Sequence, residues 1–352
     1  MMANYLRAFL FVGLVLLNMK QILAQSTCYF SFGDSLVDNG NNNNLNTLAK
    51  ANYPPYGVDF QGGVATGRFT NNRTLADFVA QRLGLANFIP PFATARGRDI
   101  ENGVNYGSGA AGIRDETGYI LGDRISFNRQ LINHKITISR LPFLLGGIRA
   151  TRQYLNQCLY TIVLGSNDYL NNYFLPQYYL TSTIYTPDEY AAALIQQLKQ
   201  QLQVLHGLGA RKVAIFGLSA LGCVLQEINT YNTTGCVGFI NDAVELFNNR
   251  LRPLVDSLNA QFPDSKFIYT NSTSIQSGPT PPGLVLDRPC CPVSEIGQCI
   301  PGSTPCSNRA AYVSFDNFHP TDGVSQAYVD RSFDPILPTD AYPFGITALL
   351  SS

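Results

Sequence analysis

Tryptophan is absent from this chain of 352 residues, and histidine occurs only three times, at His134, His206 and His319. The first absence leaves the aromatic load to 19 Tyr and 21 Phe. The second restricts acid–base chemistry near neutral pH to very few candidates, because histidine is the side chain whose ordinary pKa lies there. An excess of charge is missing as well: 24 Lys and Arg balance 24 Asp and Glu. With no basic stripe, nucleic acid is not an expected partner. The apolar run Ala8–Leu17 is ten residues, too short to span a bilayer, and no other stretch is long and apolar enough. No transmembrane anchor is therefore expected. The paired Cys-x₂-Cys spacing of zinc sites is also missing. No internal repeat and no linker interrupts the sequence, which predicts one domain over 25–352.

What is present fits an exported globular protein. Apolar content of 45% with 14% charged residues suits a substantial core. Arg7, the apolar run and the small residue Ala24 read as a signal peptide over 1–24, cut before Gln25. Eight cysteines and three Asn-x-Ser/Thr sequons, at Asn72, Asn232 and Asn271, agree with a secretory route and predict a glycoprotein with disulfides. The segment Asn271–Arg309 is rich in Pro, Gly and Ser and holds Cys290, Cys291, Cys299 and Cys306. It reads as irregular chain pinned by disulfides. Cys223 and Cys236 are expected to close a local loop. Cys28 and Cys158 each stand seven residues before a polar motif (Ser35, Gly165), so they face each other if their strands are neighbours in register.

Short apolar runs at Cys28–Phe32, Val104–Tyr106, Leu159–Leu164, Val213–Phe216 and Phe267–Tyr269 predict five strands, buried on both faces where the run does not alternate. Between them lie helical patterns: Thr74–Leu83, Ile125–Leu145 with a break at Pro142, a helix opened by the capping box Thr186-Pro-Asp-Glu189, and Val237–Leu258. The alternation predicts a parallel sheet with helices on both sides. His134 reads as a surface helix residue and His206 as a helix C-terminal one. The Asn-rich run Asn39–Leu45 reads as a solvated loop.

Chemistry concentrates just past the strands. CYFSFGDSLVDNG (Cys28–Gly40) leaves its strand at Gly33 and presents Asp34 and Ser35 on the rim where open α/β sheets bind ligands. Gly103–Gly112 is a short strand running into small residues that let backbone N–H groups approach a ligand. Gly165-Ser-Asn-Asp168 follows the third strand in the same way. A serine is a poor nucleophile until a base is placed on it, and that base needs a carboxylate to orient it. His319 has Asp316 three residues before it and Pro320 after it.

These four blocks, Ser31–Gly40, Asn105–Gly112, Gly165–Asp168 and Asp316–Pro320, stand in the order and context of the plant-type GDSL esterase/lipase family, a branch of the SGNH hydrolases. The chain resembles that family over nearly its whole mature length, including Ala51–Gly57, Gly67–Asn71 and Leu221–Cys223. The resemblance implies an α/β fold, the flavodoxin-like three-layer α/β/α sandwich with about five parallel strands. It implies Ser35 as nucleophile, His319 as base and Asp316 as its orienting acid. The oxyanion hole would use the backbone N–H of Ser35, that of Gly112 (or Gly109) and the Asn167 amide. It implies no cofactor and no metal, and a carboxylic ester as substrate: an acyl lipid, a cutin-like ester or an acetylated sugar, in the cell wall or apoplast. Acyl transfer, polysaccharide deacetylation and a non-catalytic binding role are the alternatives on the same fold. The chain departs from the pattern at Phe315, where the family often has Trp, at Asn72, and at Ala220, where Pro is usual. An α/β-hydrolase elbow, Gly-x-Ser-x-Gly, is disfavoured because Val37 stands at its second glycine.

Overall fold

The computed structural model describes residues 28–278 and 282–352; the leader expected over 1–24 lies outside them. Five strands run parallel: β1 (Tyr29–Gly33), β2 (Gly103–Asn105), β3 (Leu159–Val163), β4 (Lys212–Phe216) and β5 (Lys266–Thr270). Their order is 2-1-3-4-5, the flavodoxin-like arrangement, which reverses direction of winding at β1 and β3. A sixth strand, β6 (Ala341–Tyr342), adds to β5 in antiparallel sense. Two residues carry no readable alternation, so the sequence pattern misses it.

Side chains alternate across the sheet and meet two different helical layers. The helices that matter here are α1 (Leu75–Arg82), α2 (Phe127–Leu145), α3 (Ile148–Gln157), α4 (Pro187–Gly207), α5 (Leu225–Thr230), α6 (Gly238–Gln261), α7 (Asp322–Phe333) and α8 (Ile346–Ser351). Tyr29, Leu159, Val163, Ala214, Phe216 and Ile268 pack under α1, α7 and α8. Phe30, Phe32, Tyr160, Ile162, Val213 and Phe267 pack under α2, α3, α4 and α6. The expected capping box at Thr186 is in place: its hydroxyl accepts the Glu189 N–H and the Glu189 carboxylate accepts the Thr186 N–H. Thr74 and Asp77 form a second one that the sequence reading did not single out.

The register Tyr29↔Leu159 brings the preceding cysteines together, and Cys28–Cys158 is a disulfide. Cys223–Cys236, Cys290–Cys306 and Cys291–Cys299 complete the set, with no cysteine left free. Four disulfides fit an extracellular protein. Among the described residues no helix is long and apolar enough to cross a membrane.

Two readings of the helices are corrected. The break at Pro142 does not occur: α2 continues to Leu145 and stops at Gly146, whose φ of +84° suits the left-handed residue that ends helices. His134 is not at the surface. It is fully buried, with its ring 4.8 Å from Phe30, 5.3 Å from Phe32 and 5.4 Å from Tyr106, and its Nδ1 lies 3.0 Å from Tyr106 Oη. The spacing Phe127, Leu131, His134, Leu141 puts it on the buried stripe of α2.

Burial pushes the His134 imidazole down to about 3. Its folded pKa lies below the unfolded value, so the unfolded chain binds the extra proton and this contribution to stability falls as pH drops below about 6.5. In urea titrations at pH 7 and pH 4.5, His134→Phe should lose less stability on acidification than the wild type. The gap should grow by about 1 kcal/mol per pH unit. A gap that does not change with pH would show that the imidazole is not held neutral.

Candidate active site

The turn out of β1 is built by close packing. A Cβ on Gly33 would lie 2.4 Å from Val37 Cγ2 and 2.7 Å from the Val163 carbonyl oxygen, so only glycine fits. The Gln130 side chain of α2 holds this peptide from both sides, accepting the Gly33 N–H at 3.0 Å and donating to its carbonyl at 2.8 Å. Asp34 N–H donates to Val163 O at 3.1 Å, tying the turn to the end of β3. Ser35 thereby stands half-buried at the sheet rim.

The far end of the chain meets it there. His319 Nε2 lies 2.8 Å from Ser35 Oγ. His319 Nδ1 lies 2.9 and 2.8 Å from the two carboxylate oxygens of Asp316. Asp316 is fully buried, and its carboxylate also accepts the N–H groups of Phe318 (2.8 Å) and His319 (2.7 Å) and the Tyr56 hydroxyl (2.5 Å). Tyr56 in turn accepts the Cys299 N–H at 3.1 Å. Tyr56, Phe69, Phe315, Cys290, Cys291 and Cys299 form a small apolar core behind the histidine. Phe315 fills the position where the related pattern often has Trp. Its ring lies 5.7 Å from Tyr56 and its N–H donates to His319 O at 2.8 Å. Tyr56 is the supporting residue that sequence reasoning missed; nothing in Tyr53-Pro-Pro-Tyr-Gly57 signals a partner 260 residues away.

The start of the Asn-rich run is not solvated: Asn39, Asn41 and Asn42 are buried, which corrects the solvated reading there, while Asn44 is exposed. Asn41 Nδ2 donates to the carbonyls of Asn105 and Gly107, and Asn42 Nδ2 to those of Ala49 and Gly109. Asp38 accepts the N–H groups of Gly40, Asn41 and Gly109. These side chains stitch the turn after β1 to the small-residue segment after β2. Burial pushes Asp34 up to about 7, and Asp38 and Asp168 up to about 6.

Asn167 follows β3, lines the cavity, and donates from Nδ2 to Ala111 O at 3.0 Å. Of the two glycines considered as amide donors, neither lines the cavity. The Gly109 N–H is taken by Asp38 Oδ2 at 2.9 Å. Gly112 backs onto Asp168, whose carboxylate oxygens would lie 2.7 Å from a Cβ there. The residue that does line the cavity is Ala110, at φ +65°, a left-handed conformation uncommon outside glycine. Among the described residues, no hydrogen bond engages the N–H of Ala110 or of Ser35.

Ser35, His319, Asn167 and Ala110 share one cavity of about 990 Å³, walled mainly by apolar residues such as Leu36, Phe69, Leu170, Phe174, Leu225 and Phe318. The three sequons lie in different settings. Asn232 is exposed, Asn72 donates its amide to Asp322 at 2.8 Å, and Asn271 caps a short helix by accepting the Ser274 N–H.

Residues 29–331 match the model of the GDSL-like lipase/acylhydrolase family. Three GDSL esterase/lipases of Arabidopsis thaliana are similar to the chain end to end. One is 47% identical over 338 residues, covering 94% of this chain and 93% of the relative. The second is 45% identical over 350 residues, covering 97% and 96%. The third is 46% identical over 332 residues, covering 92% of each. With that similarity spanning the sheet, the rim and both ends of the site, the chain belongs to the GDSL esterase/lipase family and is a carboxylic ester hydrolase of the SGNH fold.

Proposed function

We propose that this protein is a secreted, glycosylated serine esterase, one hydrolase domain over 25–352, that cleaves esters through an acyl-enzyme on Ser35. The observation that carries the reading is the continuous chain Asp316–His319–Ser35, with both links at 2.8 Å. His319 Nε2 takes the Ser35 proton as Oγ attacks the ester carbonyl, and gives it to the leaving alkoxide as the tetrahedral intermediate collapses. Water then attacks the acyl group, losing its proton to the same nitrogen, and the second tetrahedral intermediate collapses by expelling Ser35 Oγ, which takes that proton back as the carboxylic acid leaves. Asp316 fixes the tautomer and stabilises the imidazolium.

The tetrahedral oxyanion needs preorganised donors. The Ser35 N–H, the Ala110 N–H and Asn167 Nδ2 are our candidates, with Ala110 taking the place expected of Gly112 or Gly109. The unengaged Ala110 amide on the cavity wall supports this choice. The apolar cavity of about 990 Å³ favours acyl lipids over an acetyl group, which needs far less room. The disulfides, the leader sequence and the sequons support secretion to the cell wall or apoplast, with Asn232 the most open glycan site.

A labelled fluorophosphonate should attach to Ser35 in the wild type and not to Ser35→Ala, and hydrolysis of p-nitrophenyl decanoate should fall at least about 1000-fold in that variant. Equal rates in the two proteins would remove the reading. In a crystal structure of the phosphonylated enzyme, the phosphoryl oxygen should lie within about 3 Å of the Ala110 N–H; an oxygen held by Gly112 instead would return the role to that glycine. Tyr56→Phe removes one hydrogen bond from the buried Asp316 carboxylate. It should lower kcat about tenfold with little change in KM, since a bond to a charged group is worth about 1.5–3 kcal/mol and part of that acts on the histidine's orientation. Steady-state kinetics check it.

A further inference from the structure

Glu227 lies in α5, on the wall of the same cavity, and is only 7% exposed. Among the described residues its carboxyl group has no hydrogen bond and no ion pair. The wall around it carries Leu221, Val224, Leu225 and Ile228, together with the polar Gln226, Asn229, Thr230 and Tyr231. The carboxyl oxygens are open to the cavity. A bound substrate that cut them off from water would leave the group unpaired at a cost of about 1–3 kcal/mol unless it supplied a partner of its own. Burial pushes it up to about 7, so a large share is neutral near pH 7. A neutral acid both donates and accepts, which suits a hydroxyl better than an ammonium group.

Its position ties it to the chemistry. Gln226, the preceding residue, donates its backbone N–H to Asn317 O at 3.2 Å, and its side chain accepts from Asn317 Nδ2 at 3.0 Å. Asn317 is the residue after Asp316 and two before His319. The Cys223–Cys236 disulfide braces the segment that carries α5. Glu227 is thus held on a short helix fastened directly to the segment that positions the histidine, and it faces the space an ester must occupy.

Building on the esterase reading above, we propose that Glu227 is a specificity-determining residue that hydrogen-bonds a hydroxyl group of the substrate, so that the preferred substrates are hydroxyl-bearing acyl esters. An unsubstituted chain leaves the carboxyl unpaired in the closed complex; a hydroxylated one satisfies it. Sites built to hydrogen-bond a hydroxyl discriminate strongly against analogues lacking it.

The test compares kcat/KM for three esters: propyl decanoate, 1-monodecanoylglycerol, with hydroxyls on the alcohol side, and propyl 10-hydroxydecanoate, with one on the acyl side. The wild type should prefer at least one hydroxylated ester over propyl decanoate by about tenfold, the size expected of one net hydrogen bond. Glu227→Leu should bring that ratio to about one, and Glu227→Gln, which still donates and accepts, should keep most of it. Equal use of all three esters by the wild type overturns the proposal. So does a Glu227→Leu variant that lowers all three alike, which is what a purely structural role gives. If the wild type cleaves none of them, the esterase reading itself fails; if it cleaves all three equally, only the role of Glu227 does.

Discussion

The burial of the Asp316 carboxylate is the constraint on which the site depends. A carboxylate removed from water is costly unless its oxygens are satisfied, and removing a partner from a buried charge pair costs about 3–5 kcal/mol. Asp316 meets that demand with donors from two parts of the chain: the N–H groups of Phe318 and His319 and the His319 ring from its own turn, and the Tyr56 hydroxyl from a loop near the N-terminus. The turn Asp316–His319 is tightened around the carboxylate, so the imidazole direction is set before any substrate arrives. Tyr56 needs its own acceptor and donor satisfied, and the Cys299 N–H does that from the disulfide-pinned segment. The cysteine-rich stretch, remote from the sheet, thereby supports the histidine by way of one tyrosine.

The same logic governs the rim. The chain leaving β1, β2 and β3 makes turns whose peptides are buried with few ladder hydrogen bonds of their own. Side-chain amides and carboxylates take the place of a ladder: Gln130 on Gly33, Asn41 and Asn42 on the segment after β2, and Asp38 and Asp168 on successive N–H groups. Each of these carboxylates is held at a cost, seen in the upward push on Asp38 and Asp168. Multiple N–H donors offset it. The result is a rim stiff enough to hold Ser35, Ala110 and Asn167 around one point.

What the sequence made legible follows the periodic and the local. The five parallel strands, the capping box at Thr186 and the pairing of Cys28 with Cys158 all rest on short-range pattern or register. Ser35, Asn167, Asp316 and His319 come together because they sit at strand ends or in one turn, whereas the expected glycines, Gly109 and Gly112, stand off the cavity. What escaped was set by long-range contact. His134 looked polar in a polar helix surface until the aromatic face of β1 closed over it. The asparagines looked like turn formers, and only the approach of the segment after β2 turns them into buried cross-links. Ala110, which we propose as an amide donor, escaped for another reason. Glycine is the residue one looks for where a left-handed backbone turns an amide toward a ligand, and here alanine bears that strain at φ +65°.

The two halves of the pocket answer to different forces. Ser35 and Asn167 stand on adjacent strands, β1 and β3, whose register fixes them relative to each other through five paired residues and a disulfide. The opposite wall comes from the segment after β4, which carries α5 between Cys223 and Cys236. A substitution on the sheet side disturbs packing on both faces and the nucleophile with it. A substitution on the α5 side alters the lining of the cavity and leaves the register alone. Gln226 fastens this segment to Asn317, beside the histidine.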